Sequence, residues 1–225
     1  MKKFKKTQHT IGIILIGILV QIMLPNPVSG AVLSDEEREI VADVQAQIPL
    51  SIQLTEEAIA VISNGWDGMN TEQQAEFQNI FDPGDTGEID DAYLRDVVAN
   101  YEKILAKLNG EMRIEYVTDS KKCTGMRLFY TDFINIYVCP YYREEHSPER
   151  KAQVLIHEVA HQALLVVDRP YYDPKSYSAR YHALTPEGSS LTEIPVLGHI
   201  IREIQHTDTL YHPATYAWFA TELTK

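Results

Sequence analysis

The stretch SPERKAQVLIHEVAHQALL, residues 147–165, decides how this chain is read. Ser147 can cap a helix, and Pro148 suits the first helical position, where its missing N–H leaves no bond unmade. Val154, Leu155, Ile156, Val159 and Leu164 are apolar, so the helix is expected to be buried. It nevertheless carries His157, Glu158 and His161. Positions four apart lie one turn above each other, so both imidazoles face the same way and can grip one ion, for which zinc is the expected occupant. Glu158 follows the first of them, where its carboxylate can reach water at an open coordination position and act as a general base. Burying three ionisable groups without partners is costly, and a bound metal is the expected compensation.

Zinc needs a third protein ligand. No H-x-x-H-x-x-G-x-x-H run follows, and the residues available downstream are Asp168, Asp173, His182, Glu187, Glu193, His199 and Glu203. Asp168 lies just past the helix in LLVVDRPYYDPKSY, where a short loop can fold back over the metal. Glu193 or Glu203 on a second helix would be the thermolysin-like arrangement. The remaining histidines, including His146, His206 and His212, form no common spaced motif.

Working outward, the chain is helical on both sides of a short β-rich stretch. Ser34 followed by Glu37 is a capping box, and Ile40, Val41, Val44 and Ile48 recur at helical spacing until Pro49, which is expected to stop the element. A second start is expected at Thr55 and a third helix after Asn70. FDPGDTGEIDD lacks the order of a calcium loop and reads as a turn before a helix. From Asp91 the apolar stripe Leu94, Val97, Val98, Tyr101, Ile104, Leu105 and Leu108 marks a long helix ending at Asn109-Gly110. EMRIEYVTD alternates, and RLFYTDFINIYVC is rich in aromatic and β-branched residues, so two to four strands are expected there. TPEGSSLTEIPVLGHIIREI is read as one more helix and YHPATYAWFATEL as the last, with Trp218 and Phe219 in the core. The fold class is therefore α+β, mainly helical with a small sheet.

The chain has 225 residues, enough for one domain with a sizeable core. Its amino end runs MKKFKK, an apolar stretch IGIILIGILVQIML, then PNPVSGAV: a basic, apolar and small-residue order that reads as a secretory signal over 1–30, or an uncleaved anchor. The body 31–225 is expected to be one domain, with a helical front half (31–110) and a strand-containing catalytic half (111–225). An oxidising compartment favours a bridge between Cys123 and Cys139. The formal charge is −12, and losing Lys2, Lys3, Lys5 and Lys6 with the signal takes it to −16 because no acid leaves with them. Such an acidic body is a poor match to a phosphate backbone, so no nucleic-acid partner is expected.

HEVAHQ followed by VVD, a tyrosine-rich loop and TLYHPATYAWFATEL near the end resembles the deuterolysin group of zinc endopeptidases, the aspzincins, over roughly 134–225. That group has an H-E-x-x-H helix, an aspartate third ligand, a tyrosine-containing loop and a terminal N-A-D-x-Y-A-x-F-A segment. Tyr216-Ala217-Trp218-Phe219-Ala220 keeps the last part, whereas the N-A-D part and the Gly-Thr start of the aspartate motif are altered. The resemblance implies a zincin-like metallopeptidase domain in which His157, His161 and Asp168 hold Zn²⁺, Glu158 is the general base, and Tyr177 hydrogen-bonds the oxyanion. It implies a protein or peptide substrate; the protein is expected to be secreted and monomeric, touching a membrane only if the leader stays on. The alternative is a secreted protein that binds or scavenges zinc without catalysis.

Overall fold

Helix α1, Asp35–Ala46, starts where Ser34 accepts from the Glu37 backbone N–H while Glu37 Oε2 accepts from Ser34 N at 2.7 Å. The computed structural model describes residues 34–82, 89–117, 121, 123, 127–143, 146–166, 171–172, 193–196, 199–203 and 209–223; within 171–203 the backbone alone is described. The expected leader over 1–30 and the acidic turn at 83–88 lie outside them. Among the described residues no helix is long and apolar enough to cross a membrane.

Pro49 does not stop the first helical region; it opens the next. Helix α2 runs Ile48–Ser63 with the proline in its first turn, and Thr55, expected as a start, lies mid-helix with its hydroxyl donating to Ser51 O at 2.7 Å. Proline is equally at home after one helix and at the head of another, and the single residue Gln47 serves both ends. Helix α3, Thr71–Phe81, is capped by Asn70 in a reciprocal box with Gln73, and α4, Asp91–Leu108, by Asp90. The stripe expected on α4 is buried at Leu94, Val97, Tyr101, Ile104 and Leu108.

Three short strands form the first sheet: β1 (Arg113–Tyr116), β2 (Phe129–Thr131) and β3 (Asn135–Val138), in the order β1-β3-β2. β1 runs parallel to β3 with Ile114 opposite Ile136, and β2 antiparallel with Tyr130 opposite Tyr137. Among the described residues β2 is thus an edge strand. The Cys123–Cys139 disulfide is formed, tying the approach to this sheet to the end of β3.

Helix α5, Pro148–Leu164, begins as its sequence demands: Ser147 accepts from Arg150 N, and proline occupies the first turn. It packs against α2, α4, β2 and the last helix α6 (Pro213–Glu222), so it runs through the middle of the core. Ala152, Leu155, Ile156, Val159 and Ala160 are wholly inaccessible. Phe219 of α6 meets Phe77 and Phe81 of α3 edge-on at 5.3 and 5.5 Å, and Tyr216 meets Tyr101 at 5.0 Å. Phe219 is core as expected, while Trp218 is only partly buried. The front helices and α5 therefore share one apolar core.

The segment read as a further helix before α6 is instead a β-hairpin. β5 (Glu193–Val196) and β6 (His199–Glu203) pair antiparallel with Ile194 opposite Ile201, and β4 (Tyr171–Tyr172) joins β6 in parallel. Pro195 removes a helical N–H donor and clashes with the preceding turn, and the β-branched Ile194, Val196, Ile200 and Ile201 prefer the pleated backbone.

Candidate metal centre

His157 and His161 come together on α5 as their four-residue spacing requires, and Glu158, next to His157 in sequence, lies in the same helical turn. Glu158 and His161 are 7% and 8% exposed, and His157 is partly open. The two imidazole rings stand 4.8 Å apart at 85°, and their Nε2 atoms approach to 3.1 Å. Two nitrogens so placed, each about 2.05 Å from a shared ion, subtend roughly 100° there, close to tetrahedral.

The orientation of His161 is set by the end of its own helix. Leu165 adopts the left-handed conformation, φ 55°, and its backbone turns Val166 back so that the Val166 N–H donates to His161 O at 3.3 Å. The Val166 carbonyl then sits 2.9 Å from His161 Nδ1, where it accepts the ring N–H and leaves the Nε2 lone pair aimed at His157. A left-handed leucine is uncommon, because its Cβ crowds the following carbonyl. Gln162, also buried, reaches the other way: its Nε2 donates to Thr131 Oγ1 at 2.7 Å and Asp132 O at 3.2 Å, pinning the β2–β3 turn to the helix. Neither Leu165, Val166 nor Gln162 stands out from spacing alone; the nearest clue is a glutamine inside the otherwise apolar helix end.

Of the other residues expected to serve the site, Asp168, Asp173, Tyr177, His182 and Glu187 lie outside the described residues. Glu193 opens β5, and His199 and Glu203 begin and end β6, so neither glutamate rides the second helix that a thermolysin-like arrangement needs. Among the described residues no group of three or more His, Cys, Asp or Glu is placed to hold a metal. The donors that are described, two imidazoles converging through Nε2, fit zinc in kind and would need further ligands to complete its coordination.

A cavity of about 500 Å³ between α1 and the start of α5 touches none of these residues. There Asp43 accepts from Tyr142 Oη at 2.6 Å and from Lys151 Nζ at 2.7 Å. Burial works to raise the Asp43 pKa, but hydrogen bonds from Lys151 and Tyr142 outweigh it and hold the carboxyl below its ordinary value. Burial, with the Asp43 charge, pushes the Tyr142 phenol upward.

The described fold has a solved counterpart. A zinc peptidase from Grifola frondosa superposes with a TM-score of 0.54 over 85% of this chain and 98% of its own, at 10% identity. The likeness is one of fold. No family model matches the sequence, and no curated protein matches it.

Proposed function

We propose that this chain is an exported zinc-dependent endopeptidase of the aspzincin type. The observation that carries the reading is the 3.1 Å convergence of the two Nε2 atoms, with Glu158 buried in the same turn of α5. The fold, shared in outline with a zinc peptidase, supports it. His157 and His161 would hold the ion, and Asp168 would complete the protein ligands from the segment just past the helix. When bound, zinc supplies Lewis acidity toward water and the scissile carbonyl. Glu158 takes a proton from the attacking water and returns it to the departing amine, while Tyr177 donates to the developing oxyanion. The Val166 carbonyl keeps His161 in the tautomer this chemistry requires.

Glu158→Gln tests the assignment. It should retain zinc, because the carboxylate transfers protons and does not ligate, and it should lose at least a hundredfold in kcat. Near-normal turnover, or loss of zinc from a folded variant, contradicts it.

A further inference from the structure

Helix α1 is fastened to the body by a few polar contacts in place of packing. It buries one side chain, Val44, whereas α2 buries five and α4 seven, so apolar burial does not hold it as it holds them. Ile40, in its middle, is only partly buried and lines the cavity of about 500 Å³ beside the start of α5, so packing is interrupted where the two helices face each other.

Two clasps, at Glu36 and Asp43, lie about two turns apart on one face of α1. Near the start, Glu36 Oε1 lies 3.1 Å from Arg143 Nη1. Near the end, Asp43 Oδ2 accepts from Lys151 Nζ at 2.7 Å and from Tyr142 Oη at 2.6 Å. The receiving side is formed without α1: the Lys151 ammonium stands 4.7 Å from the Tyr142 ring centre, and the Arg143 guanidinium 5.2 Å from that of Tyr116. Nor does α1 borrow from the body at its amino end, because the Ser34–Glu37 box caps it from within.

Its other end is a hinge. α1 and α2 meet at Gln47 alone, and Pro49, in the first turn of α2, has no N–H to carry a helical hydrogen bond back into α1. Beyond the proline the chain is fixed: Ser51 is buried, and its hydroxyl lies 3.4 Å from Ala152 O of α5. Motion about Gln47 therefore moves α1 and leaves α2 in place.

We propose that α1 is a hinged arm, closed against the body by the Glu36–Arg143 and Asp43–Lys151 pairs, that opens as a unit while α2 to α6 stay folded. Opening uncovers Tyr142, Lys151 and the adjoining cavity, so the arm is a conformational switch at the amino end of the body, independent of the zinc chemistry. A free helix of 12 residues is marginal in water, so the opened arm loses its backbone hydrogen bonds.

Hydrogen exchange of the full chain in chelator, read by mass spectrometry on fragments of α1, α4 and α5, tests this. Protection in α1 should be about tenfold or more below that in α4. Lys151→Met keeps an apolar stem against Tyr142 but removes the charge, and should speed α1 exchange about tenfold while α4 and α5 change less than about twofold. Glu36→Gln, at an exposed position on which the fold does not depend, should speed it about twofold, because an exposed pair is worth little. Exchange in α1 as slow as in α4 in the wild type overturns the arm, since the helix then opens only with the whole body. So does a variant whose effect is as large in α4 and α5 as in α1. Unchanged α1 exchange in both variants overturns it too, by showing that the pairs do not close the arm.

Discussion

Gln162→Ala separates what ties α5 to the sheet from what would hold the proposed zinc. Gln162 is 7% exposed and makes two hydrogen bonds across to β2 and its turn, at 2.7 and 3.2 Å. Each is worth about 1 kcal/mol net, and truncating the buried stem removes about 0.8 kcal/mol per lost methylene. The loss does not reach the full penalty of an orphaned buried group, because Thr131 Oγ1 keeps Asn135 O as its acceptor. Alanine regains only a few tenths of a kcal/mol in helix propensity. The expected destabilisation is about 2–3 kcal/mol, or roughly 5–10 °C in Tm for a chain of this size. Thermal unfolding followed by circular dichroism in chelator, so that no metal contributes, measures it. Zinc affinity from chelator competition should change less than about threefold, since His161 is oriented by Val166 and not by Gln162. A stability change below about 0.5 kcal/mol, or loss of zinc at unchanged stability, would show that Gln162 does not tie α5 to the β2–β3 turn in this way.

Leu165→Gly should raise Tm by up to about 4 °C and leave zinc content unchanged: it relieves about 1–2 kcal/mol of left-handed strain, partly offset by about 0.5–1 kcal/mol of unfolded-chain entropy; a fall in Tm would show that this leucine is anchored by contacts. Asp43→Asn should lower stability at neutral pH. Because the folded carboxyl titrates below its unfolded value, the wild-type advantage is present above about pH 4 and fades as the pH falls through the folded pKa, so urea unfolding curves for the two proteins should converge toward pH 2.5. Parallel curves would remove Asp43 from the account of acid stability. Asp168→Ala should abolish stoichiometric zinc and activity in a folded protein while Asp173→Ala keeps the metal, and the reverse pattern would move the ligand role to Asp173.

Much of the architecture was legible where local chemistry and global packing agree. The Ser34–Glu37 box, the Asn109-Gly110 stop, the α4 stripe and the Ser147-Pro148 start of α5 each combine a terminus signal with a face to bury, and each appears where those signals lie. Pro49 was ambiguous because its ring fits the first turn of α2 as well as the end of α1. The hairpin of β5 and β6 is not legible from spacing because the apolar residues at 194–201 satisfy a helical period as easily as a strand, and Pro195 is the one residue that argues against a helix there. At the site, the i,i+4 pair dictated the convergence of His157 and His161. Spacing could not foretell that a carbonyl from Val166 would orient one ring, since that depends on a left-handed backbone at a leucine, where glycine is the residue that ordinarily signals such a turn.

If the proposal holds, the chain hydrolyses peptides only with zinc on His157 and His161. The measurement is turnover of a broad peptide library by the purified wild-type chain loaded with one equivalent of zinc. Cleavage should be present, vanish in chelator and return when zinc is restored. A folded, stoichiometrically zinc-loaded protein that cleaves no peptide in the library would contradict it.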